Sequence, residues 1–134
     1  MITTRQLQDE IIRLHSTPDY KIYMLGFLPG FVYLGGLDER IHAKRLDSPR
    51  TAIPKGSVGI GGSQTGVYPI ASPGGWRLIG STPLEFYNPL RKEPILCKAG
   101  ERLRFVPIDQ KEYELIKKDV ENGTYHPEYQ KKMA

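Results

Sequence analysis

A lone cysteine, Cys97, excludes an internal disulfide, so burial and hydrogen bonding must hold the fold together. No apolar run approaches membrane-spanning length, and no signal-peptide pattern opens the chain. A cytoplasmic protein without a membrane partner is expected. Internal repeats and linkers are absent, and so are most catalytic signatures. Gly61 to Gly66 has the glycine spacing of a phosphate loop, but Val67 stands where lysine should be. Gly59-Ile60-Gly61 begins like a dinucleotide fingerprint, yet Gln64 replaces the last glycine and strand follows instead of helix. His15, His42 and His126 share no metal-ligand spacing with one another or with Cys97, so no metal is expected. Serine occupies neither a nucleophile elbow nor a Ser-x-x-Lys arrangement, and no catalytic residue is assigned. The net charge is +4, but lysines 117, 118, 131 and 132 cluster near the carboxyl end and form no stripe interleaved with aromatics. Nucleic acid is therefore not an expected partner.

What the chain does have is punctuation. Fourteen glycines and eleven prolines in 134 residues suit short strands and tight turns, and 39% hydrophobic residues suffice for a single packed core. A helix should open the chain, with Thr3 and Gln6 at capping-box spacing and Leu7, Ile11 and Leu14 on one face. Ser16-Thr17-Pro18 should end it. His15, near that end, reads as a charge complement to the carbonyl dipole. Strands are predicted over 20–25, 57–61, 67–71, 76–80, 95–98 and 102–106, the last two flanking a turn at Ala99-Gly100-Glu101. Asp38 to Thr51 reads as a polar connection holding Arg40, Arg45 and Arg50. A second helix should start at Asp109, with Glu112 at capping-box spacing, Tyr113, Ile116 and Val120 as its stripe, and Asn122-Gly123 as its stop. Residues 124–134 should fray. Cys97, in the alternating stretch Pro-Ile-Leu-Cys-Lys, reads as a buried structural thiol.

Three loops admit two readings each. Ser63, Gln64 and Thr65 between glycines could offer an amide, hydroxyls and backbone donors to a carboxylate or amide ligand; the same stretch also makes an ordinary hairpin or bulge. Pro73-Gly74-Gly75-Trp76 is a rigid turn with a core indole or a pocket wall. Arg50, after Ser48-Pro49, is an anion-holding fork or a surface residue.

Several stretches carry a longer pattern: Tyr23 to Phe31, Tyr33 to Asp38, Ser48-Pro49-Arg50, Pro54 to Ile60, Gln64 to Pro69 and Ser72 to Gly80. Together they resemble the family that unites allophanate hydrolase subunit 1, the B-type subunit of 5-oxoprolinase and the kinase inhibitor KipI. Val32 departs from the family's frequent proline. The resemblance implies one mainly β domain over 1–134, a cyclophilin-like closed barrel (core about 20–108) with a helix at each end of the chain. It also implies an amino-terminal α+β domain that this chain lacks.

For function, the resemblance implies the B-type component of an ATP-dependent 5-oxoprolinase, opening 5-oxo-L-proline to L-glutamate with partner subunits of the A and C types. ATP would be a co-substrate of the complete complex. Residue chemistry and the motif match together put Arg50, Gln64, Thr65, Tyr68 and Trp76 around the pocket. Arg50 would hold an anion, Gln64 and Thr65 would bond a lactam or carboxylate, and the rings would wall the cavity. Two alternatives follow from the same family. One is a KipI-like inhibitor of a sporulation sensor histidine kinase, with an exposed patch around Phe27, Phe31 and Tyr33. The other is an allophanate hydrolase or urea carboxylase-related component.

Overall fold

The computed structural model describes residues 4–25, 31–91, 96–97 and 100–125. Helix α1 (Thr4–Ser16) turns its apolar stripe inward only near its end, where Leu14 is buried while Leu7 stays half exposed. It stops where Ser16 and Thr17 hydroxyls donate back to the Ile12 and Arg13 carbonyls, just before Pro18. The Thr3 cap lies outside the described residues.

The strands are β1 (Tyr20–Leu25), β2 (Val32–Gly35), β3 (Arg50–Ile53), β4 (Ser57–Gly61), β5 (Gln64–Val67), β6 (Ser72–Gly74), β7 (Arg77–Ser81) and β8 (Arg102–Leu103). A 3-10 turn, Glu39–Ile41, follows β2, and helix α2 (Gln110–Glu121) closes the order. Six strands form an antiparallel sheet in the order β7-β4-β5-β2-β1-β8, and β3 pairs with β6 in a separate ribbon. The described residues are thus mainly β with two helices. Among the described residues, no ladder joins the sheet's end strands, β7 and β8.

Register explains the composition of each face. Residues opposite one another across the sheet share a face, and neighbours along a strand alternate. Val32–Val67–Val58 and Leu34–Thr65–Ile60 form rows on one face, joined by Tyr20 and Ile22 in the main core. The intervening row, Tyr33–Gly66–Gly59, belongs to the opposite face. There Phe31, Ile53, Tyr68 and Trp76 make a second buried cluster.

β1 and β4 span the residues expected of them. β5 does not. It starts at Gln64 and ends at Val67, because Gly61 pairs with Gln64 and only Gly62-Ser63 turn. Gly62 has φ +63° and no described non-glycine residue has positive φ, as a type II′ hairpin with glycine first requires. The stretch is a hairpin. Beyond Val67, Pro69 has no amide to donate, so the expected strand over 67–71 stops early. β6 instead occupies the expected connector, where Pro73 is tolerated because the two-stranded ribbon leaves it an unpaired edge. β3 likewise begins within the polar connection, at Arg50, and runs two residues past its expected end.

α2 follows expectation closely. The Asp109 carboxylate accepts from the Glu112 amide at 2.8 Å, Gly123 ends the helix at φ +72°, and Tyr113, Ile116 and Val120 are its partly buried positions. Two expected strands are curtailed: β8 covers just Arg102–Leu103, with Arg104 to Val106 described but outside any strand, and Leu96 and Cys97 are not in a strand, while Ile95 and Lys98 lie outside the described residues. So does most of the expected frayed tail.

Candidate functional site

The second cluster exists because glycines pave the sheet beneath it. A Cβ added at Gly61 would lie 2.4 Å from the Trp76 ring, and one at Gly66 would lie 3.1 Å from it. Only bare backbone lets an indole lie this close. Trp76 meets Phe31 edge-on at 5.6 Å between centroids, Tyr33 at 5.9 Å and Tyr68 at 6.5 Å. Phe31 and Tyr68 also meet edge to face, at 5.0 Å. Each contact has the geometry that ring quadrupoles favour.

The segment 43–46 crosses this cluster and is tied down along its length. Ala43 and Gly62 exchange backbone bonds of 3.1 and 2.7 Å, Arg77 Nε donates to the Lys44 carbonyl at 2.8 Å, and the Leu46 amide donates to Gly75 at 2.7 Å. Arg45, between the last two ties, holds its guanidinium 5.6 Å from the Trp76 ring centroid. Burial raises the Tyr68 phenol above its usual range, while a backbone hydrogen bond from Trp76 and the positive field of Arg45 pull it down.

The five residues named from sequence divide between the two faces. Tyr68 and Trp76 belong to the aromatic cluster, both almost wholly buried. Arg50 is exposed on β3 opposite Gly74, whose added Cβ would lie 2.4 Å from the Tyr68 hydroxyl, so its backbone borders the same cluster. Gln64 is partly buried and alternates onto the face of Gly66. Thr65 faces the other way. It is fully buried, donates to the Gly59 carbonyl at 2.9 Å and lies 2.8 Å from His15 Nε2. Its single proton is thereby committed, so the imidazole donates from Nε2.

His15 corrects its sequence reading. It is buried, its ring 4.5 Å from Phe105 and 5.6 Å from Tyr20, and burial pulls its pKa down to about 4. A neutral imidazole cannot complement a dipole at neutral pH. Phe31 also departs from expectation, since full burial removes it from any exposed patch, and Phe27 lies outside the described residues. Cys97 is the expected buried thiol, pushed up to about 11 by burial and secondarily by the charge of Glu101. Among the described residues, no histidine, cysteine or carboxylate cluster could hold a metal. No described helix is long and apolar enough to cross a membrane.

Sequence reasoning put Arg45 in a polar connection and Tyr33 in an exposed patch, and assigned neither to this cluster. Glycines at alternate positions of β4, Gly59 and Gly61, with Gly66 beside them on β5, were the available signal for a flat ring seat. Nothing local marks the arginine. A separate cavity of about 460 Å3 lies between α1 and β7, with Leu7, Ile11, Leu14, Ile60 and Ile79 in its wall and none of the five residues.

A family model described as carboxyltransferase domain, subdomain C and D, matches residues 3–97. The B-type subunit of 5-oxoprolinase from Bacillus subtilis is 52% identical over 83% of this chain and 46% of its own length. Its counterpart from Escherichia coli O157:H7 is 54% identical over 75% of the chain and 46% of its own length. The chain thus spans about half the length of these curated relatives. The crystal structure of a conserved uncharacterized protein from Pyrococcus horikoshii superposes with a TM-score of 0.75, at 56% identity, covering 78% of this chain and 49% of that one.

Proposed function

The chain belongs to the carboxyltransferase-domain family, subdomains C and D, and from that premise we propose that it is the B-type component of an ATP-dependent 5-oxoprolinase. The observation that carries this reading is identity above one half with two proteins so named, over three quarters or more of the chain. The complex would convert 5-oxo-L-proline to L-glutamate with sister subunits of the A and C types, in the cytoplasm, and consume ATP. A lactam is unreactive because nitrogen donates into its carbonyl. Phosphorylating the carbonyl oxygen removes that protection, after which water attacks carbon and the ring C–N bond breaks to leave an acyl phosphate, which a second water hydrolyses to carboxylate and free phosphate. Delivery of the phosphoryl group falls to the complete complex.

On this reading the substrate rests at the edge of the aromatic cluster. Tyr68 and Trp76 wall the site, Gln64 offers an amide to the lactam, and Arg50 reaches in from β3. Thr65 acts from beneath, fixing β5 through its bonds to Gly59 and His15. A closed cyclophilin-like barrel belongs to the same proposal. It predicts slow hydrogen exchange along the outer edge of β7, and unprotected amides there would refute closure. The functional test is reconstitution. The protein co-expressed with its sister subunits should release glutamate from 5-oxoproline only when ATP is present. A correctly assembled complex that releases none would sink the reading.

A further inference from the structure

Most described arginines have an evident structural use. Arg13, Arg40 and Arg104 pair with Glu10, Asp38 and Asp19, and Arg77 bonds the Lys44 carbonyl. Arg45 differs. Its guanidinium rests over the indole and has neither a hydrogen bond nor an ion pair among the described residues. Its position is nonetheless enforced. The Lys44 carbonyl is tied to Arg77, the Leu46 amide is tied to Gly75, and Trp76 lies between those two anchors in sequence. Fixing the backbone on both sides of one arginine, and seating its side chain on a ring, removes freedom a surface arginine would keep. Arg45 is exposed, so the donors of its fork remain open to solvent.

We propose that Arg45 is the anion-recognition residue of this site and that it takes the carboxylate of a small cyclic amide acid. The class of ligand rests on the function proposed above; the anion site rests on the geometry. Pre-ordering lowers the cost of binding, because the fork need not be frozen when the ligand arrives. Charge-assisted bidentate bonding then supplies orientation, holding the carboxylate at the indole edge while the ring extends toward Gln64. A phosphate could use the same fork, so the ligand's source must be separated by experiment.

Trp76 is the protein's only tryptophan, so indole emission reports this site alone. The full chain is titrated with 5-oxoproline, with 2-pyrrolidinone (the same lactam without a carboxylate) and with inorganic phosphate. Saturable change with 5-oxoproline alone is expected. Arg45→Gln should weaken it on the order of tenfold to a hundredfold, the range for losing a charge-assisted bond. Arg45→Lys should restore only part, since the charge returns without the fork. Unchanged unfolding midpoints would show that both variants fold. An equal response from Arg45→Gln, a loss confined to Arg50→Gln, a response to phosphate but not 5-oxoproline, or equal binding of pyrrolidinone would each overturn the assignment. Glutamate release by the reconstituted complex without any indole response would also overturn it, leaving the functional reading intact. A saturable, Arg45-dependent response without glutamate release would support Arg45 and sink that reading instead.

Discussion

Mild acid should destabilise this protein through one imidazole. His15 starts from an ordinary value of 6.5 and is pulled to about 4 by burial. The unfolded chain therefore takes up a proton at a pH where the folded one refuses it. The full stability is present above pH 6.5 and is lost as pH falls toward about 4, below which both states are protonated and the loss levels off. The difference is worth roughly 3 kcal/mol, a large share of the ~5–15 kcal/mol that domains typically possess. With a urea dependence of ~2 kcal/mol per molar, the midpoint should fall by about 1–1.5 M between pH 7.5 and 4.5. Trp76 emission follows the unfolding. Asp38 interferes little in this window, because its hydrogen bonds from Arg40 hold it down at about 2 and it titrates below that range. His15→Gln keeps a donor for Thr65 but cannot titrate, so its midpoint should vary much less over the same range. Should that variant fail to fold, the imidazole resonance of the wild type should titrate near pH 4. A flat midpoint from pH 7.5 to 4.5, or an ordinary imidazole titration near 6.5, would refute the reasoning.

Gly61→Ala should cost about 1–3 kcal/mol, as its methyl would press on the Trp76 ring, whereas Gly80→Ala, which meets nothing within 4 Å, should be near neutral. Thermal denaturation of the pair checks this, and equal melting temperatures would contradict the ring seat. Cys97, buried and raised to about 11, should resist iodoacetamide at pH 8 in the folded protein and react once denatured. Rapid native labelling would show that the thiol is reachable.

What could be read from sequence followed how locally each feature is determined. α2 was legible because Asp109, its apolar stripe and Gly123 all act within one helix. β1 and β4 were legible from branched and aromatic runs with clear borders. β6 was not, because Ser-Pro-Gly has turn chemistry and becomes a strand only by pairing with β3, some twenty residues earlier. Gln64-Thr65-Gly66 failed similarly, its pairing set by the hairpin and by neighbours on β2. Trp76 and Tyr68 stood out as rings among glycines, but alternation alone could not say that Thr65 would face away from them. Arg45 sits in a polar stretch like any other arginine, and its placement depends on bonds to residues about thirty positions later.

The two helices are moored very differently. α1 is riveted to the middle of the sheet by the imidazole–hydroxyl contact of His15 with Thr65, whereas α2 buries no residue completely. Loosening should therefore proceed from one end of the chain. α2 can peel away and leave the sheet intact, but α1 cannot leave without stripping Thr65 of its partner and opening the core beneath Trp76's strand floor.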